Sequence, residues 1–379
     1  MKRYFIVTIY FLLFPLLCYG EMDSVLEEQY EISGGKRLEQ YYSQELKEDL
    51  TSLVPEFSIK KTVEQVISGT ITITPEGLLH WLGNFLWGGI KSNISAFGIL
   101  LLLTVLSGIT GQLNALGGEK SAAEFICCAV MSAVVIEMFD QGVRQSVSAI
   151  SSMSEFVTVL TPVMTTLLAG SGHPGEATLL HPVLYGAATF SINAVNRFIA
   201  PAIYSCFLLC IANSLSDENK LEGFTALIKN GVRWILTVIL TLFSGLTAIY
   251  SFSGQNVDIM VSKTARFAVG NLVPIVGGLL SESVELVLSF SSVLRRGIGI
   301  GGIVVLLLLF THTAVQLAVQ LWLFRIGSAF ASPLGSPVLG KLLSDTAGCI
   351  GMLLAALCVC AVLFSLILIM MIGTGGSLL

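Results

Sequence analysis

The chain alternates long apolar runs with short polar joints. Apolar segments at 94–116, 122–139, 156–172, 177–196, 198–215, 234–253, 268–290, 297–324 and 347–373 are each close to the length needed to cross a bilayer as a helix. The segments 156–172 and 268–290 are interrupted by Pro162 and by Pro274 with its glycines, and they read as weak spans, re-entrant or partly interfacial. The pattern predicts an all-α polytopic membrane protein, a helical bundle of about seven to nine crossings with Pro/Gly-broken segments. The loop 216–233 carries apolar residues at Leu221, Phe224, Leu227 and Ile228, which predicts an amphipathic cytoplasmic helix.

The first 91 residues follow a different pattern. Lys2 and Arg3 precede an apolar run from Tyr4 to Tyr19, the layout of a secretory signal over residues 1–20, either cleaved or kept as a signal anchor. Residues 21–91 then hold 12 of the 25 acidic residues. Within this acidic head, Leu46, Leu50, Leu53 and Val54 keep helical spacing, as do Ile59, Val63, Val66 and Ile67, with Pro55 between the two groups. His80, Trp81, Phe85 and Trp87 form an aromatic belt ahead of the first span. The expected organisation is a signal peptide (1–20), a small extracytoplasmic helical head (21–91) and a multi-span membrane domain (92–379).

Composition sharpens this picture. Hydrophobic residues make up 54% of the chain and charged residues 12%, about half the share in soluble domains. The net charge of −5 argues against a nucleic-acid partner. With the head outside, alternating spans put Lys120, Lys220, Lys229, Arg233, Arg295 and Arg296 inside, in line with the positive-inside rule. The same count leaves Lys263, Arg266, Arg325 and Lys341 outside, against it.

No catalytic or nucleotide-binding signature is present, and no enzyme activity, cofactor or metal is expected. The run Gly297-Ile-Gly-Ile-Gly-Gly leads straight into an apolar helix and reads as a site of close helix packing. Cys206 and Cys210 share a helical face with no His or carboxylate beside them, so they read as small packing residues. Cys358 and Cys360 fall on different faces.

The remaining candidates are polar residues at membrane depth, which face a bundle interior or an aqueous cavity. They are Glu124, Glu137 and Asp140; His181, Asn193, Asn196 and Arg197; Glu282 and Glu285; and the i, i+4, i+8 series His312, Gln316 and Gln320. Each admits two readings, a hydrated path or interhelical glue. The stretch Pro162-Val-Met-Thr-Thr-Leu-Leu is echoed by Pro274-Ile-Val-Gly-Gly-Leu-Leu, a short match of the kind left by a transporter-like repeat.

The run SGQNVDIMVSKTARFAVGNLVPIVGG, beginning at Ser253, resembles the signature of the stage III sporulation protein AE family. LLAGSGHPGEATLLHPVLYG, with His181-Pro182, and Ile199-Ala-Pro201 are similar to further family motifs in the same order. Lys263 departs from the Arg common before Thr-Ala, and the segment after Gly340 is a looser match. The resemblance implies a non-enzymatic membrane component of the sporulation channel, or feeding apparatus, that joins mother cell and forespore. It implies a place in the mother-cell membrane. Its partners would be other subunits of that complex, among them ring-forming proteins and a secretion-type ATPase, together with membrane lipid, and homo-oligomers are open to it.

On this reading Pro162, His181, Asn193, Asn196, Asp258, Asn271, Pro274, Glu282, His312 and Gln316 line a conduit or pack its walls, and Lys263 and Arg266 meet partners. A stand-alone secondary transporter of a small solute and a membrane scaffold without a passage are the alternatives.

Overall fold

The computed structural model describes residues 75–114, 122–215, 221–272, 277–331, 333 and 337–373. Signal peptide, head helices and Pro274 lie outside the described residues. The described chain is helical throughout. α1 spans Pro75–Asn114, α2 Ala122–Gly170 and α3 Pro174–Ala194. A single π-helical turn, Val195–Ile199, joins α3 to α4 (Ala200–Leu215). α5 (Glu222–Leu272), α6 (Gly277–Ala331) and α7 (Pro337–Gly373) complete the order.

Among the described residues, five helical stretches are long and apolar enough to cross a membrane: Cys128–Gly170, Pro174–Ser214, Glu222–Thr247, Leu288–Ala331 and Val338–Gly373, and Asn93–Ile109 of α1 is a shorter apolar stretch. They are fewer than the expected apolar segments in part because several segments fuse. The segments 122–139 and 156–172 are two parts of α2, since nothing between Asp140 and Glu155 stops a helix except the lone Gly142. Nor does Pro162 break α2. Its neighbours' hydroxyls bond the local carbonyls, Thr161 Oγ1 to Val157 O at 2.7 Å and Thr166 Oγ1 to Pro162 O at 2.8 Å, as membrane helices do around proline. The segments 177–196 and 198–215 likewise run on through the π turn. It falls directly before Pro201, where a wider turn relieves the clash of a proline ring with the carbonyl four residues back. Within 268–290, α5 ends at Leu272 and α6 begins at Gly277.

α2 stops at a sharp turn. Gly172 sits at φ 91, Gly172 N–H donates to Ala169 O at 3.1 Å, and His173 N–H donates to Leu168 O at 3.3 Å. This is the Schellman pattern, and Pro174 then opens α3, where its missing N–H costs nothing.

α6 and α7 form the central antiparallel pair and share the most extensive interface, with α2 packed on both. Lipid tails are as apolar as leucine, so helices associate by close packing, and small residues set the approach. A Cβ on Gly302 would stand 2.8 Å from Leu160 Cδ2, and one on Gly299 would collide with Ile372. The glycine-rich run 297–302 is thus the meeting point of α2, α6 and α7.

These contacts define two ends. At the lower end α4 leads to α5 and α6 to α7; there Lys229 Nζ bonds Asp345 Oδ1 at 3.2 Å and Lys341 lies 4.0 Å from Glu222. At the upper end α2 turns into α3 and α7 finishes. Lys229 and Lys341, expected on opposite sides, therefore share the lower end. Arg295, expected beside Lys229, sits at the other end, one turn before the Gly299–Ile372 contact. The fusion of apolar segments changes the parity of the crossings and so overturns that charge assignment.

Candidate functional site

The residues of α2 that face away from the bundle form a polar stripe. Glu137, Gln141, Arg144, Ser148, Glu155, Pro162 and Thr166 are exposed, and Ser151 and Ser152 are half-buried among them. Their spacing of three, four or seven residues keeps them on one side of the helix. The opposite side is core: Val135, Phe139, Ile150, Met153, Val157 and Leu160 are buried. Arg144 Nε donates to Asp140 Oδ2 at 2.8 Å within the stripe.

The depth of this stripe follows from its register against α7. A Cβ on Gly142 would lie 3.2 Å from Ile350 Cδ1, and one on Gly299 would touch both Ile372 and Met164. Residues 142–164 of α2 therefore run beside residues 350–372 of α7, which contain no charged residue. α7 is also the most apolar of the five spans. Arg144 and the serines lie within that apolar height, and Glu155 is near its middle. An ionised side chain facing lipid at such a depth costs about 2.5–3.5 kcal/mol even on the more lenient insertion scale. The polar face of α2 is suited to water or to another protein surface, and not to lipid.

The expected site residues divide into three groups. Pro162 is on the stripe, and His181 of α3 is exposed beside it, with Nδ1 3.5 Å from Thr165 Oγ1. Asn193 and Asn196, with Arg197 next to them, are exposed on α3 and the π turn, and Asn193 Nδ2 donates to Thr189 O at 2.8 Å. The series on α6 instead packs inward. His312 and Gln316 pair through their Nε2 atoms at 3.2 Å, and the buried Gln320 donates to Asn93 Oδ1 of α1 at 3.5 Å. Asp258, Lys263, Arg266 and Asn271 belong to the upper part of α5 and Glu282 to the start of α6. Their side chains, like Pro274, lie outside the described residues. The structure thus does not test the Pro162–Pro274 repeat.

Three features escaped the sequence reading. Arg144 and Glu155 are not among the sequence candidates, though their spacing with Glu137 and Ser148 marks a continuous face. Arg295 is buried to 1% exposure inside α6, and its Nε, Nη1 and Nη2 have no hydrogen-bond partner among the described residues. The charge of the buried Glu176, in the first turn of α3, acts on it. The third feature is the hairpin of α1 and α2. Asn93, Gln320 and Gly142 share one level, and below it both helices continue for roughly 30 Å at 1.5 Å per residue. Ile99, Leu102, Val105, Leu106 and Ile109 of α1 and Ile126 and Val130 of α2 are exposed there. At the same heights the rest of the bundle presents Lys229, Lys341 and Asp345.

A helical protein with several stretches fit to cross a membrane, one of which carries a polar face, is the class that these elements define. The profile of the family "Stage III sporulation protein AE" matches residues 57–375, and the chain belongs to that family. It is 26% identical over 328 residues to the Stage III sporulation protein AE of Bacillus subtilis (strain 168), covering 86% of this chain and 82% of that protein. No solved structure matches the chain. The family supports a role in sporulation, and the structure supplies apolar helices fit for a membrane.

Proposed function

We propose that this chain is the multi-span, non-enzymatic membrane component of the sporulation channel complex linking mother cell and forespore, and that the polar face of α2 borders a passage shared between subunits. The observation that carries this reading is the stripe from Glu137 to Thr166, which runs the full apolar height of α7 and faces out of the bundle. A neighbouring copy, or another subunit, supplies the opposite wall of the passage.

The α1–α2 hairpin favours assembly over a stand-alone transporter. From Ile109 to the level of Ile372 the apolar surface stands roughly 55 Å tall at 1.5 Å per residue, against a hydrocarbon core of about 30 Å. Part of that surface needs protein to cover it. Lys229, Arg233, Arg325 and Lys341 at the lower end, with Lys120 and Lys220 in the segments joining helices there, favour a cytoplasmic lower end. α1 runs parallel to α6, with Gly89 beside Val319 and Asn93 beside Gln320, so Pro75 starts from the upper end. That supports an extracytoplasmic head facing the ring-forming partners and leaves the lower end to cytoplasmic ones, the secretion-type ATPase among them.

Replacing Ser148, Ser152 and Glu155 together by leucine tests the reading in sporulating cells. The variant is expected to insert and to join the complex while losing late forespore gene expression. Normal late expression from an assembled triple variant points instead to a scaffold without a passage.

A further inference from the structure

We infer that Cys206, Cys210 and Cys349 form a binding site for a thiophilic d10 cation, Zn2+ in the first instance, that ties α4 to α7 at the lower end of the bundle. The three Sγ atoms lie within 4.8 Å of one another, and Cys349 Sγ is 4.0 Å from Cys206 Sγ. A zinc ion about 2.3 Å from each of three sulfurs holds those sulfurs about 3.8–4.0 Å apart, so the cluster needs only a small contraction. All three residues are buried. Cys206 and Cys210 are one turn apart on α4 and present their sulfurs together, and the third sulfur comes from a different helix whose position is fixed by packing. The sequence concealed this because the third ligand follows 139 residues after the second.

The surroundings suit an anionic thiolate complex. A cavity of about 120 Å³ lined by Cys210, Asn213, Glu222, Thr225, Lys229 and Asp345 reaches the cluster from the lower end. It gives an ion a way in and leaves room for a water as the fourth ligand, as in open zinc sites. Three thiols that take up Zn2+ release three protons, and the product carries one net negative charge. Lys229 stands beside the cluster, its Nζ 3.7 Å from the place a Cβ on Gly348 would occupy, and its positive charge near the sulfurs favours the thiolates. Asp345, one turn before Cys349 on α7, holds the ammonium in place at 3.2 Å. Three sulfur ligands select Zn2+ or Cu(I) over Mg2+ and Ca2+, which take oxygen.

The test uses the full chain, purified in nanodiscs under reducing conditions. Metal content is read by mass spectrometry, and Co2+ is titrated as a spectroscopic probe. About one Zn2+ per chain is expected, with thiolate-to-cobalt charge-transfer bands when Co2+ replaces it. Cys206→Ser and Cys349→Ser should lower the content more than tenfold, while Cys358→Ser and Cys360→Ser leave it unchanged. Cys349→His, which keeps a ligand, should restore binding and shows that loss in the serine variant is not misfolding. The proposal is overturned by a wild-type chain that binds neither ion, by equal binding in wild type and Cys206→Ser, or by a Cys206–Cys349 disulfide in protein isolated without oxygen.

Discussion

Gly142 of α2 faces Ile350 of α7 so closely that a Cβ on the glycine would stand 3.2 Å from Ile350 Cδ1 and 2.9 Å from Gln320 Oε1. This contact sets the register that brings Glu155 to the middle of an uncharged height. Gly142→Leu is expected to cost about 1–3 kcal/mol through overpacking. The matching measurement is the thermal midpoint of the protein in detergent, with Gly186→Ala as control. Gly186 has nothing within 4 Å of its Cβ position, so alanine there should be neutral or stabilising by up to about 1 kcal/mol through helix propensity.

Gly172 differs from both because its φ of 91 is forbidding for other residues. Gly172→Ala should destabilise by about 1–2 kcal/mol, the cost of the left-handed region for a residue with a Cβ. Limited proteolysis at the α2–α3 turn should report the change as faster cleavage there, with α6 and α7 unaffected.

The pair Lys229–Asp345 joins α5 to α7 and is mostly buried on both sides, at 21% and 29% side-chain exposure. Its coupling energy should exceed the ~1 kcal/mol of a surface pair without reaching the 3–5 kcal/mol lost when one partner of a fully buried pair is removed. A double-mutant cycle with Lys229→Ala and Asp345→Ala is expected to give about 1–2 kcal/mol. The swap Lys229→Asp with Asp345→Lys should recover part of the stability lost in either single reversal.

Arg295 is a buried cation whose nitrogens have no hydrogen-bond partner among the described residues, and the buried Glu176 supplies the charge opposite to it. Replacing both, Arg295→Met with Glu176→Gln, removes two buried charges together and is expected to raise the thermal midpoint. Glu176→Gln alone should lower it, because it deletes the negative charge that acts on the guanidinium.

Much of the fold was legible because lipid leaves few choices. Apolar runs of the right length must be helices, and glycines inside them, as at Gly299 and Gly302, mark close approach. Continuity was not legible. The segments 122–139 and 156–172 read as separate when apolar length alone is counted, yet the helix carries on between them because no residue there ends it. The parity of crossings, and with it the placing of Lys341 and Arg295, failed for the same reason. Site residues split along a related line. His312, Gln316 and Gln320 were identifiable from spacing alone, since a helical face is a local property. The meeting of Cys349 with Cys206, or of His181 with Thr165, depends on which helices become neighbours, and spacing does not encode that.

The central claim is that the outward face of α2 meets water at bilayer depth, and cysteine accessibility measures it directly. Single cysteines at Ser148, Ser152, Glu155 and Thr166, in a background that lacks the accessible native cysteines, are labelled in sporulating cells with a membrane-impermeant thiol reagent. Lipid-facing controls are placed at Leu242 and Val362, both exposed apolar positions. The account predicts labelling along the whole α2 series and none at the controls, with labelling at Glu155 dependent on the assembled complex. Protection of Ser152 and Glu155 equal to that of the controls in the assembled complex contradicts it.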